Sequence, residues 1–147
     1  MANIRSRSHS ASRLPEIVEL GYVPCRLLTP DLMLQSMTGQ VVAISAPITS
    51  VNIISQATYS WEGSIVNHAR QEKGTLKFIT LDSIPDDEPI AFVLTTAARK
   101  QYIVGKREGR FPVIIYADTT GQRAGDRAAR TYTVTYVAAK AALECVV

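Results

Sequence analysis

Along much of the chain, apolar and polar residues alternate with the two-residue period of a half-buried β-strand. The clearest case is residues 131–137, where Tyr132, Val134 and Tyr136 fall on one face and Thr131, Thr133 and Thr135 on the other. Residues 57–66 alternate similarly, with Glu62-Gly63 marking a bulge or bend, and residues 75–81 follow suit. Residues 90–96, 101–104 and 111–117 are rich in apolar, β-branched and aromatic positions and read as further strands. Between them lie turn signals: the polar stretch NHARQEKG (67–74) as an exposed connection, an acidic Pro-bounded loop at 84–89, AARK at 97–100, the tight charged turn KREGR at 106–110, and a long polar loop at 119–130. Thr29-Pro30-Asp31 carries a cap, a first-turn proline and a dipole-matching acid, so a short helix is expected from there through Leu32, Met33, Leu34 and Met37 to Gly39. Residues 15–20 suit one helical turn or the start of a strand ending at Gly21, and residues 138–147 suit either a last strand or an Ala-rich helix. The expected fold is mainly β, a sandwich or barrel of about seven to nine strands with one or two short helices.

Two departures from alternation matter. Residues 2–13, ANIRSRSHSASR, are small, polar and basic, so residues 1–13 are expected to form a mobile arm ahead of a single β-rich domain at 14–147. From Leu32 to Trp61 no residue carries a charge. Gln35, Gly39, Gln40, Pro47, Asn52 and Gln56 interrupt that run, so it fails as a membrane-spanning helix. Its β-branched residues favour strands covered on both faces, by the same chain or by a second copy.

Charge sharpens the picture. The 147 residues have a formal net charge of +3, and Arg5, Arg7 and Arg13 of the arm account for it; the rest of the chain holds 13 bases and 13 acids. Within that neutral body, Asp82, Asp86, Asp87 and Glu88 form an acidic cluster. Arg99, Lys100, Lys106, Arg107, Arg110, Arg123, Arg127 and Arg130 outnumber Glu108, Asp118 and Asp126 across residues 99–130. Opposite lobes on a neutral body suit head-to-tail self-association as well as they suit a nucleic acid. The two cysteines, Cys25 and Cys145, lack metal or redox spacing and read as buried thiols of a reducing compartment. No secretory signal pattern opens the chain, so it reads as an intracellularly made domain.

Catalytic chemistry finds no foothold. His9 and His68 lie in no ligand or triad spacing, and Asp86, Asp87 and Glu88 are adjacent turn residues rather than a calcium loop. Gly121 and Gly125 lack the Lys-Ser/Thr pair of a phosphate loop. No catalytic residue, metal ligand or cofactor site is assigned, and an enzyme is not expected. Tyr59, Trp61, Phe78, Tyr102 and Phe111 fall in strands near Arg or Lys, which leaves a single-stranded nucleic-acid-binding β-barrel as the rival from another class.

The stretch IAFVLTTAARKQYIVGKREGRFPVIIYADTTG (90–121), followed by RAARTYTVTYVAAKAAL (127–143), resembles the closing strands of phage tail tube proteins: an apolar run, a Thr-rich turn, a Tyr-Val pair, then a late alternating strand. The resemblance implies a subunit that closes into a hexameric ring with a continuous inner barrel, stacked into a virion tail tube through which DNA passes without sequence-specific binding. It implies assembly in the host cytoplasm, sheath or baseplate proteins as partners, and no membrane association. Other tail, baseplate or connector components are the alternatives within that class. On this footing Lys106, Arg107, Arg110, Arg123, Arg127 and Arg130 would meet Asp86, Asp87 and Glu88 of a neighbouring subunit or ring.

Overall fold

Alternation commits each strand to a buried and an opposite face, and two such sheets can hide their apolar faces only against each other. The computed structural model describes residues 11–13, 16–28, 30, 42–54, 57–85, 87–107, 111–119 and 129–146. In chain order they form β1 (Ala11–Arg13), β2 (Ile17–Pro24), a 3-10 turn (Cys25–Leu27), β3 (Val42–Ala43), β4 (Thr49–Val51), β5 (Thr58–Val66), β6 (Ala69–Thr80), β7 (Ile90–Thr96), β8 (Gln101–Val104), β9 (Val113–Thr119), β10 (Ala129–Ala138) and β11 (Leu143–Val146). One sheet, here sheet A, has the order β1-β5-β6-β10-β9; the other, sheet B, has the order β3-β11-β8-β7-β2-β4. Every pairing is antiparallel except β3 with β11. The mainly-β sandwich expected from the sequence is the fold. Among the described residues eleven strands stand beside the expected seven to nine, the excess being β1, β3 and β4, edge pieces of two or three residues too short to show a period.

Between the sheets lies one core, in which Tyr59, Leu76, Phe78, Tyr132, Val134 and Tyr136 of sheet A meet Leu20, Phe92, Leu94 and Val104 of sheet B. Phe78 stacks on Tyr132 at 5.2 Å and tilts against Phe92 at 5.9 Å, tying the layers together. A second core covers part of the outer face of sheet B. There Cys25, Leu28, Val42 and Ile44 pack over Val23, Ala91, Val93, Ile103, Leu143 and Cys145. Thus β7 is the doubly covered strand, with every residue from Ile90 to Leu94 buried, as its unbroken apolar run requires. The uncharged stretch after Leu32 was expected to supply strands covered on both faces; its described residues, 42–54 and 57–61, hold β3, β4 and the start of β5, each with exposed positions, and residues 44–48 between β3 and β4 help to cover sheet B.

Other expectations shift in instructive ways. Residues 11–13, assigned to the arm, are β1 and pair with Ser60, Trp61 and Glu62. β2 runs straight through Gly21, because Ile48 lies over that position where a Cβ would come within 2.5 Å of its Cγ2. The pairing Glu62↔Lys73, Gly63↔Glu72 continues without a shift, so there is no bulge at Gly63. Residues 67–74 are not a connection. Asn67 and His68, at φ 51° and 65°, make a two-residue turn of the kind that suits twisted hairpins, and β6 begins at Ala69. The chain ends on a strand, β11, rather than a helix. The helix expected at 29–39 lies outside the described residues, save Pro30.

The strand directions define two ends of the sandwich. The upper end holds Thr80, Arg130 and Ile17, which bridges to Ala57; the lower end holds the β5–β6 turn. At the upper end residues 52–54 cross between the sheets. There Thr80 Oγ1 donates to Asn52 O (2.6 Å), Asn52 N donates to Asp82 Oδ2 (2.9 Å) and Ile54 N donates to Ile79 O (2.8 Å). Lower down, the Tyr59 ring lies across Gly74 and its hydroxyl donates to Ala141 O at 2.6 Å, while Ala141 N donates to Glu72 Oε1 at 2.8 Å. Any side chain at position 74 would strike that ring. Gly74→Ala is expected to destabilise the fold by about 1–3 kcal/mol as an overpacking change, read as a lower urea midpoint; an unchanged midpoint would mean that Tyr59 does not occupy that space.

Candidate functional site

The acidic loop and part of the basic run converge on the lower end. Cys25 N donates to Pro89 O at 3.0 Å, which holds the 3-10 turn against the loop. Arg26 Nε donates to Glu88 Oε1 at 2.9 Å, an exposed ion pair worth about 0.2–1 kcal/mol. A backbone hydrogen bond from Lys106 reaches the Cys25 thiol, and Gly105, at φ 135°, packs against Ala91 and Pro112. Asp87 and Glu88 therefore share this end with half-buried Lys106 and exposed Arg107. Arg130 belongs to the upper end, where its guanidinium lies 4.2 Å over the Tyr116 ring. Asp86, Arg110, Arg123 and Arg127 lie outside the described residues. The expected separation into one acidic and one basic lobe is thus not how the described charges sit: Lys106 and Arg107 accompany the acids, and Glu88 already has a partner in its own chain. A groove of about 400 Å³ runs between Asp87, Glu88 and Pro89 on one side and Phe111, Pro112 and Ile114 on the other.

Titratable groups elsewhere are built into the cores. Burial pushes the Cys25 thiol up from 9.0 to about 11 and the Cys145 thiol to about 12, and both are free. Burial also raises the Tyr136 hydroxyl to about 12 and lifts the Tyr59 hydroxyl above the ordinary phenol range, with the Tyr136 and Glu72 charges adding to it. The Tyr136 hydroxyl is buried with no hydrogen-bond partner among the described residues. None of these is an activated nucleophile, since each holds its proton more tightly than in water. Among the described residues no group of three His, Cys, Asp or Glu side chains gathers as metal ligands, and no helix is long and apolar enough to cross a membrane.

Of the five aromatic residues considered for base stacking, Tyr59 and Phe78 are core residues with 1% exposure. Trp61 and Tyr102 are half-buried and only Phe111 is exposed. No continuous stacking platform exists on the described surface.

What the surface does offer is an edge. β9 pairs with β10 on one side and, among the described residues, with nothing on the other. Its register with β10 sets Ile114 and Tyr116 opposite Val134 and Tyr132, so Val113, Ile115 and Ala117 point away from the core beside Thr135, Thr133 and Thr131. Val113 and Ile115 are 59% and 62% exposed. A strand edge without a lysine, a proline or a bulge in residues 113–117 is open to pairing. The opposite edge is only partly closed, because β1 covers Ser60 to Glu62 and leaves the rest of β5 unpaired on that side among the described residues. Sequence reasoning recognised the β9 strand but not its exposed edge; the run of uncharged residues after Pro112 was the available signal.

No family model, no curated protein and no solved structure matches this chain. The chemistry of the core makes its own prediction. The unfolded chain starts to lose thiol protons near pH 9 while the folded chain keeps them, so the unfolded state binds fewer protons and stability falls as pH rises. The tyrosines extend the loss from about pH 10. The urea midpoint is expected to fall above about pH 9, with each group adding a slope of up to about 1.4 kcal/mol per pH unit. Thiol reagents should label Cys25 and Cys145 only on unfolding; fast labelling of the native protein would contradict their burial.

Proposed function

We propose that the chain is a structural subunit that joins edge to edge into closed rings, and that stacked rings form a phage tail tube conducting DNA. The observation that supports this reading most directly is β9: among the described residues, an edge strand with outward Val113 and Ile115, on a sheet whose other edge is incompletely closed. Two different edges of one sheet make a heterologous, head-to-tail contact, and such contacts close into rings when the rotation between copies permits. The resemblance of residues 90–121 and 127–143 to tail tube proteins gives the ring its setting in the virion, with assembly in the host cytoplasm and sheath or baseplate proteins at its periphery.

In a ring built this way the outer face of sheet A belongs to the continuous wall. Its central part is the row Thr131, Thr133 and Thr135, with Thr75 and Lys77 beside it on β6 and the aliphatic Val113 and Ile115 at the β9 edge, so a strongly hydrated polymer would pass along the threonine row. Stacking brings the upper end of one ring towards the lower end of the next, so Arg130 of one copy approaches Asp87 of another. That retains the charge contact expected from the sequence for those two residues.

Val113→Lys combined with Ile115→Lys alters only exposed side chains and is expected to leave the thermal midpoint within the range of ordinary surface changes, about ±0.5 kcal/mol. Light scattering and negative-stain images of the wild type should give rings or stacked tubes with a central channel, and the double variant should give monomers. A wild type that stays monomeric at high concentration, or a double variant that assembles normally, overturns the reading. Salt-dependent binding of an oligonucleotide by such a monomer would instead favour the single-strand-binding module.

A further inference from the structure

Two features at opposite ends of the sandwich remain without a role. The first is the β5–β6 hairpin. β10 pairs with β6 only as far as Ala138↔Glu72, so Ser64–Val66 and Ala69–Gln71 project past the sheet with, among the described residues, no third strand beside them. At about 3.4 Å per residue the overhang is about 10 Å long. It ends in two adjacent apolar residues, Ile65 at 75% exposure and the exposed Val66, beside the two-residue turn at Asn67 and His68. Arg70, paired with Ile65, is the overhang's one charged residue.

The second is the outer face of sheet B. The layer built on residues 25–28 and 42–48 covers its lower half, and Ile48 marks where the described cover stops. Above it lies a groove of about 420 Å³ lined by Val18, Glu19, Gly21, Ile48, Val93 and Thr95 among others. A register shift between Ile17 and Glu19 leaves Val18 and Glu19 both exposed at its rim. Glu19 is the groove's only ionisable lining residue.

We infer that the hairpin tip of one copy seats in the sheet B groove of a second copy, Ile65 entering against Gly21, Ile48 and Val93 while Arg70, its cross-strand partner on the same face, meets Glu19. The occupant is a second copy because the features match, an exposed apolar side chain with the aliphatic part of the groove and, among the described residues, a single cation of the overhang with a single anion of the lining. They also lie at opposite ends of the same body. A tip at the lower end and a socket towards the upper end repeat without a symmetric partner, which is the requirement for open-ended stacking. The contact is distinct from the β9 edge, and as the joint between successive rings it rests on the ring-forming reading above.

The test is oxidative cross-linking of the full chain carrying Val18→Cys together with Ile65→Cys, both at exposed positions, with native Cys25 and Cys145 buried. The double variant is expected to give a covalent ladder of three or more copies, whereas either single variant stops at dimers. Arg70→Glu should abolish the ladder, and adding Glu19→Arg should restore it. Negative-stain images of Ile65→Lys should show rings that no longer stack. Wild-type rings with no ladder in the double variant would overturn this joint and leave the ring-forming reading standing. A ladder without rings would support the joint and overturn that reading, and absence of both would overturn the two together.

Discussion

The register of β10 against its two neighbours is the constraint on which the remaining structure depends. From Arg130↔Thr80 to Ala138↔Glu72 on one side, and from Ala129↔Thr119 to Thr135↔Val113 on the other, β10 is paired along nearly its whole length. That pairing aims Tyr132, Val134 and Tyr136 into the core and Thr131, Thr133 and Thr135 to the outside. A slip of one residue would exchange the two rows, burying threonines and exposing two tyrosines and a valine. The aromatic contacts of Tyr132 with Phe78 and Tyr116 hold only in the observed register, and so does the outward orientation of Val113 and Ile115.

How much of this could be read from the chain varied with how strongly each element is wetted on one face only. β10, β7 and β8 were placed to within a residue or two, because one-sided or two-sided burial leaves a periodic or continuous apolar signature in the sequence. The first part of β6, Ala69 to Lys73, was missed for the same physical reason: its residues are exposed or half-buried, and polar side chains on both faces leave no alternation to detect. The β-branched run that holds β3 and β4 pointed to strands without giving their bounds, because two or three residues cannot display a period. The candidate charges were identified as residues but not as neighbours. That Lys106 and Arg107 share an end with Asp87 and Glu88, while Arg130 sits at the other, follows from strand direction and is invisible to a count of charge along the sequence.

The two cores differ in what they secure. The one between the sheets is aromatic and deep, and it sets the separation and angle of the layers. The one outside sheet B is aliphatic and built from a single wrapped segment, with both thiols among its members. Covering only half of a sheet leaves the uncovered half apolar enough to receive a partner and polar enough at its rim, through Glu19, Ser50 and Asn52, to stay hydrated without one. The same balance holds at β9, where an exposed aliphatic pair sits beside a row of threonines.

The position of β7 has a consequence for motion. Buried from Ile90 to Leu94 and paired with β2 along its length and with β8 from Phe92 to Thr95, it gives water little access to the amides of its central residues. Its backbone hydrogens exchange only through the rarest openings of the whole domain, whereas those of the hairpin overhang exchange by local fraying. Rigidity is therefore graded from the centre of the sandwich to its lower tip. The segment free to adjust its shape to a neighbour can do so without disturbing the strand on which both cores rest.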